Sequence, residues 1–422
     1  MARTTDNADA QALAGYIDAS PSPFHAVAEA GRRLADNGYQ QVDELDPPAM
    51  QPDRGFVIRD GSLVAWADVD GQADDFRLIG AHTDSPNLRV KPRPDQDRAG
   101  VRQLALEPYG GLLLNSWLGR DLGLAGRVAL ADGRVLLVRT ATPVLHLPQL
   151  AIHLDREVNT KGLLVDPQRH TAPIWGLGAS RDGDFANWVA QTLVGDGAEA
   201  GDVVAWDLMT HDFAPSAIVG ADHELLSAPR LDNLCSSWAA VEALLGTNRG
   251  MIALWDHEEI GSTSNRGAAS PLVESVLERL VPAPSERRRL LARGTCASSD
   301  MAHGTHPNFA ERHEPNHPIT LGGGPVIKSN VNQRYATDAR SAQVFAAACE
   351  RAGTAIQWYA HRADIPCGST IGPITAGQLG ISVVDVGAPM LAMHAARELM
   401  ATEDVEFLRR ALTSFLDVSG SS

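Results

Sequence analysis

Two textures of apolar and polar positions alternate along the chain. Between Ala10 and Ala19, and again from Ser22-Pro23 to Asn37-Gly38, apolar residues recur at helical spacing, with Phe24, Val27, Gly31 and Leu34 on one face of the second segment. Phe56-Val57-Ile58-Arg59 and Leu63-Val64-Ala65-Trp66, separated by Asp60-Gly61, predict a hairpin, and the unbroken run from Phe76 to Ala81 predicts a buried strand. From about residue 92 to 227 the texture changes to short apolar runs between turns, as where Gly126–Leu130 and Arg134–Val138 flank Asp132-Gly133. After residue 228 strand and helix signals alternate again, with strands at 251–255, 295–297, 356–359 and 381–386 and helices over 236–245, 271–293, 339–352 and 403–416. The pattern predicts an α/β fold, a mixed sheet flanked by helices built from 1–91 and 228–422, with a β-rich domain of 92–227 inserted. Pro86, Pro92 and Pro94 are expected to break regular structure at the entry to that insert.

Charge narrows the partners. Asp and Glu outnumber Lys and Arg by 52 to 36, a formal charge of −16, which argues against nucleic acid or an anionic membrane surface. No apolar run approaches the roughly 20 residues that span a bilayer, and Met1-Ala2-Arg3-Thr4-Thr5-Asp6-Asn7 lacks the layout of a secretion signal, so a cytoplasmic protein is expected. Cys235, Cys296, Cys349 and Cys367 are too scattered for a zinc ribbon or a disulfide framework. The glycine-rich Gly322-Gly323-Gly324-Pro325-Val326-Ile327-Lys328 lacks the Gly-Lys-Ser/Thr ending of a phosphate loop, which excludes that mode of nucleotide binding.

Metal-capable side chains appear where the apolar runs stop. The run Met251–Trp255 delivers Asp256-His257-Glu258-Glu259, and the 76–81 strand delivers His82-Thr83-Asp84. Asp232, Asp300 and His394 follow at further strand ends. In open α/β sheets the ligand crevice lies outside the carboxyl ends of strands, so these residues are candidates for one site. Two histidines and three carboxylates fit two zinc-class ions if one carboxylate bridges, and of the adjacent Glu258 and Glu259 one would be a ligand and the other a base.

The sequence resembles the aspartyl aminopeptidase family of dinuclear zinc exopeptidases nearly end to end. The residues that carry the resemblance are Ser20-Pro21-Ser22-Pro23-Phe24-His25, Ala81-His82-Thr83-Asp84-Ser85-Pro86, His153-Leu154-Asp155-Arg156, Arg230-Leu231-Asp232-Asn233, Asp256–Ser262, Ser299-Asp300-Met301-Ala302-His303 and Met393-His394. It implies that His82 and Asp300 hold one ion, Glu259 and His394 the other, with Asp232 bridging. Zinc is the expected metal, and cobalt or manganese are accepted by the same ligand types. By the same resemblance Glu258 is the general base and Asp84 orients the first histidine. His153 reaches into a neighbouring subunit's site, Lys328 is a cation of the substrate pocket, and His303 and His306 are similar to the family's loop histidines, His303 being the substrate-binding candidate, with structural support of the Asp300 loop as the alternative and no role assigned to His306. The implied activity is removal of N-terminal Asp or Glu from peptides, by a tetrahedral homo-oligomer of twelve subunits. A dinuclear aminopeptidase of broader or neutral specificity, and a metal-bearing shell without turnover, are the alternatives. One departure is Ala395 after His394, where the family leads one to expect serine.

Overall fold

The computed structural model describes residues 7–46, 51–69, 75–195 and 197–417, which form two compact units. The α/β unit takes the described residues up to Asp84, then Ser216–Met393 and those from Glu398 onward; the barrel unit takes Ser85–Pro215 and His394–Arg397.

A nine-stranded sheet organises the α/β unit. Its strands are β1 (Gln40–Gln41), β2 (Arg54–Arg59), β3 (Ser62–Ala67), β4 (Arg77–His82), β5 (Gly250–Trp255), β6 (Thr295–Ser299), β7 (Val326–Ser329), β8 (Gln357–Ala360) and β9 (Ser382–Gly387), in the order β1-β2-β3-β5-β4-β6-β9-β7-β8. The central strands β5, β4, β6 and β9 are parallel, and antiparallel pairs β2–β3, β3–β5 and β9–β7 make the sheet mixed. Alternation along each strand feeds two cores. Ile252 and Leu254 of β5 join Ile79 and Ala81 of β4 under the helices Ala8–Ala19, Pro23–Asp36, Leu231–Thr247 and Thr402–Leu416. Met251, Ala253 and Trp255 join Leu78 on the opposite face, against Leu272–Leu280 and Pro284–Arg293. Burial on both faces is why these strands read as continuous apolar runs. A smaller five-stranded sheet, which includes Leu225–Ala228, Pro389–Leu391 and Glu398–Ala401, completes the unit.

In the barrel unit seven strands pair antiparallel, and Val203–Asp212 bonds to both Asn87–Arg98 and Asp121–Leu130, closing six of them into a ring. Leu104, Leu122, Leu124, Phe185 and Leu208 fill it. Gly126 is required here, because a Cβ at this residue would lie 1.9 Å from the Asp207 carbonyl oxygen.

Three details differ from the sequence reading. The segment expected as one helix over 271–293 is two, Leu272–Leu280 and Pro284–Arg293, because Pro282 follows the first and Ala283, preceding a proline, is extended (ψ 113°). Pro92 and Pro94 lie inside a strand of 12 residues, Asn87–Arg98, accommodated by a register shift between Val90 and Asp95. That strand brings the barrel's start forward to residue 85, while Ala217–Val219 and Leu225–Ala228 belong to the α/β unit's smaller sheet rather than to the insert. Among the described residues no helix is long and apolar enough to cross a membrane.

Candidate active site

Strands β5, β4 and β6 run parallel side by side, so the residues that leave their carboxyl ends emerge together. His82 is the last residue of β4 and stands in register with Trp255 of β5, while Asp300 follows β6 directly. Asp232 arrives from another direction, in the first turn of the helix Leu231–Thr247, where its ψ of 104° departs from helical geometry. Its backbone N–H donates to Glu398 Oε2 at 3.1 Å, Asn233 Nδ2 donates to the Ser299 carbonyl at 2.9 Å, and Ser237 Oγ donates to the His82 carbonyl at 2.7 Å. These bonds tie the helix start to the ends of β4 and β6.

His82 is the centre. Its Nδ1 meets the backbone carbonyl of Asp84 at 3.0 Å, and because a carbonyl only accepts, that nitrogen carries the hydrogen and Nε2 faces the acids. Nε2 lies 3.4 Å from Asp232 Oδ1, 3.5 Å from Asp300 Oδ1 and 4.0 Å from Glu258 Oε2. One ligand atom each from His82, Asp232 and Glu259 falls within 4.8 Å of the other two. The carboxylate of Asp84 accepts the backbone N–H of Glu258 and of Glu259, both at 3.1 Å, and so fixes the turn that carries them.

The electrostatics follow from burial and crowding. Burial disfavours a charged His82, yet its bonds to Asp232, Asp300 and Asp84 and the charge of Glu258 outweigh that and hold it well above its ordinary value. Burial pushes the Glu258 carboxyl up to about 8; His82 opposes the rise, and Asp300, Asp84 and Asp232 add to it. Five carboxyl groups, Asp84, Asp232, Glu258, Glu259 and Asp300, thus gather around one imidazole. Such a set repels itself unless a cation enters, and imidazole nitrogen with carboxylate oxygen suits divalent ions of the zinc class. The donor set therefore fits a zinc centre.

Similarity to other proteins agrees with that chemistry. The family profile described as "Aminopeptidase I zinc metalloprotease (M18)" matches residues 16–416. The chain belongs to the M18 metallo-aminopeptidases. A "Probable M18 family aminopeptidase 2" of Streptomyces avermitilis is 51% identical over 421 residues, covering 96% of each chain, and its counterpart in Mycobacterium tuberculosis is 51% identical over 430 residues, covering 97% of this chain and 98% of that one. Among solved structures, the cryo-EM structure of the Ape4 and Nbr1 complex superposes with a TM-score of 0.91 at 31% identity, over 98% of this chain and 86% of that one. The S. cerevisiae mApe1 dodecamer superposes at 0.83 with 26% identity, over 96% and 95%.

The surroundings of the other candidate residues of this M18 aminopeptidase differ from one to the next. His394 belongs to the barrel unit, where its Nδ1 donates to the Gly111 carbonyl at 3.0 Å. His153 is exposed in a turn of the barrel unit between Leu150 (65% exposed) and Leu154 (76%). His303 ends a short strand, exposed, its ring 6.2 Å from that of Tyr359, and His306 donates its backbone N–H to His313 Nε2 at 3.1 Å. Lys328 on β7 is 2% exposed; its ammonium donates to the carbonyls of Asp300 at 2.8 Å and Met301 at 3.2 Å, lies 3.7 Å from Asp300 Oδ2 and sits over the Tyr335 ring. Sequence reasoning missed the double use of Asp84 on the two glutamate amides, and it missed Gly387, where a Cβ would stand 1.9 Å from the Asp300 carbonyl oxygen. A glycine ending an apolar strand was the only signal for the latter.

Proposed function

We propose that this M18 enzyme is a dinuclear aminopeptidase in which His82, Asp232, Glu259 and Asp300, with His394, would hold two zinc-class ions. What carries the reading is the convergence of His82, Asp232 and Glu259 within 4.8 Å, with Glu258 at 4.0 Å from His82. Bound divalent ions would supply Lewis acidity toward the scissile carbonyl and acidify a water nearby. Glu258 takes the proton of the attacking water and returns it to the leaving amine. Its burial is what makes it able to hold a proton near neutral pH, and divalent ions beside it would favour the ionised form. Asp84 keeps both glutamates in place through their amides. His153 is proposed to serve a second copy of the chain, stabilising charge on the tetrahedral oxygen there; its exposure and the dodecameric state of a similar protein support this. Twelve-subunit assembly is proposed on the same ground.

The substrates proposed are peptides with N-terminal Asp or Glu, with Lys328 as the cation near the site. A second reading, broader or neutral specificity, is favoured by the burial of Lys328 and by its two carbonyl partners, which already occupy the ammonium. Aspartyl, glutamyl and leucyl p-nitroanilides, assayed with the zinc-loaded protein and after chelation, separate the readings. Acidic substrates preferred at least tenfold, with all activity lost on chelation and restored by zinc, is the expected result. Equal or better leucyl turnover supports the second reading, and activity that survives complete metal removal overturns both.

A further inference from the structure

Glu258 and Glu259 are presented by an awkward piece of chain. They begin the short helical turn Glu258–Ile260, which is entered through His257 at φ 68° and left through Gly261 at φ 95° and Ser262 at φ 61°. His257 and Ser262 are side-chain-bearing residues in left-handed conformation, which a chain adopts only when its surroundings fix it. Asp84 supplies part of that fixing through the two amides. The remainder comes from one guanidinium.

Arg266 reaches three groups at once. Its Nε lies 2.9 Å from Asp256 Oδ2, its Nη1 donates to Asp60 Oδ2 at 3.1 Å, and its Nη2 lies 3.0 Å from His257 Nε2. An arginine can only donate, so His257 Nε2 accepts and the ring is the neutral form with its hydrogen on Nδ1. That hydrogen goes to Ser264 Oγ at 2.9 Å. Asp256, fully buried, uses Oδ1 to accept the backbone N–H of His257 at 2.9 Å. Its own N–H donates to Ser62 Oγ at 2.9 Å, and Ser62 Oγ donates to the Arg266 carbonyl at 2.6 Å. Asp60 and Ser62 flank the turn between β2 and β3, and the backbone there approaches so closely that a Cβ on Gly61 would stand 2.5 Å from Asp256 Oδ2. The hairpin, Asp256 and His257 are therefore joined through one guanidinium, which hydrogen-bonds Asp60 and His257 and ion-pairs with Asp256.

We infer that Arg266 is a positioning residue of the aminopeptidase reaction, clamping the Asp256–Ser262 turn to the β2–β3 hairpin so that Glu258 and Glu259 stay registered against His82. The inference rests on the proposed roles of Glu258 and Glu259. Only arginine can hydrogen-bond Asp60 and His257 through two nitrogens while ion-pairing with Asp256; a lysine is a point charge that can neutralise Asp256 without holding Asp60 and His257 as well. Misplacement of a base or ligand by a fraction of an ångström lowers turnover and metal affinity without touching the substrate's binding contacts.

The test compares Arg266→Lys with the double variant Arg266→Met/Asp256→Asn, which leaves no unpaired buried charge. Circular dichroism, thermal unfolding and light scattering report folding and assembly. Turnover is measured on the p-nitroanilide that the wild type cleaves best, and zinc affinity by competition with a fluorescent chelator. Both variants are expected to fold, with kcat per folded subunit down about 10- to 100-fold, KM within about threefold, and zinc bound roughly tenfold more weakly. Wild-type kcat and zinc affinity in either folded variant would overturn the inference, as would a loss of activity that merely tracks the folded fraction. Should neither fold, Ser264→Ala decides, since it removes the hydroxyl that accepts from His257 Nδ1 and from the backbone N–H groups of Arg266 and Gly267, and so loosens the same clamp without touching a charge. A drop in kcat of about three- to tenfold is then expected, and unchanged kcat and affinity end the claim. Glu258→Gln run in parallel keeps the two levels apart: if it remains active, the underlying reading fails, whatever Arg266 does.

Discussion

The carboxylate of Asp84 accepts the backbone N–H of Glu258 at 3.1 Å, while the carbonyl of the same residue accepts the Nδ1 hydrogen of His82 at 3.0 Å. One fully buried aspartate therefore sets the tautomer of a histidine on β4 and the placement of a turn after β5. Asp84→Asn can offer only one acceptor oxygen to the two glutamate amides and turns an NH₂ toward the other. It is expected to weaken zinc binding by about 10- to 100-fold and to lower kcat by a similar factor, measured by chelator competition and steady-state kinetics.

Glu258 approaches His82 no nearer than 4.0 Å. A glutamine at 258 keeps size and neutral hydrogen bonding but cannot carry a proton between water and amine. Glu258→Gln should therefore retain its zinc and lose at least about 10²- to 10⁴-fold in kcat, checked by metal analysis and by p-nitroanilide turnover on the same sample.

How much of this was legible in the sequence depends on what kind of contact is involved. His82, Glu258, Glu259 and Asp300 could be read because each follows an apolar run, and a parallel sheet necessarily brings such ends to one edge. Asp232 was expected at a strand end, whereas it comes from the first turn of a helix, so its residue type was legible and its placement was not. The contacts of Lys328 were out of reach. Its fully apolar neighbours Val326 and Ile327 give no hint that its ammonium ends on the carbonyls of Asp300 and Met301, a pairing that requires β7 to return two strands away from β6. The guanidinium of Arg266 was equally invisible, because its partners Asp60, Asp256 and His257 meet it only after the β2–β3 hairpin packs on the turn. Pro92 and Pro94 misled for a local reason: a register shift lets a strand continue past residues that cannot donate.

Gly387 ends β9 with its Cα hydrogen against the Asp300 carbonyl. The added methyl of Gly387→Ala must push backbone, which cannot yield as a side-chain tip would. The expected result is destabilisation by about 1–3 kcal/mol together with fewer zinc ions per subunit, measured by urea titration and elemental analysis.

Asp404 lies far in sequence from the candidate ligands and accepts the backbone N–H of Gly322 at 2.6 Å and of Gly324 at 2.9 Å. Burial nonetheless pushes its carboxyl from 3.8 up to about 7. The folded state then holds a proton that the unfolded state releases, so this group's contribution falls as pH rises from about 4 to about 7. Asp404→Asn imitates the protonated form and cannot ionise. Its stability relative to wild type should rise by up to about 4 kcal/mol between pH 4 and pH 8 in urea titrations, and a constant difference would contradict the shift.

The most direct test of the metal centre is anomalous diffraction at the zinc edge from crystals of the zinc-loaded enzyme. Peaks are predicted about 2.0–2.2 Å from His82 Nε2 and from carboxylate oxygens of Asp232, Glu259 and Asp300, with Glu258 beside them but not bound. Zinc found only at other residues, or a fully loaded active enzyme with no peak at His82, would contradict the account.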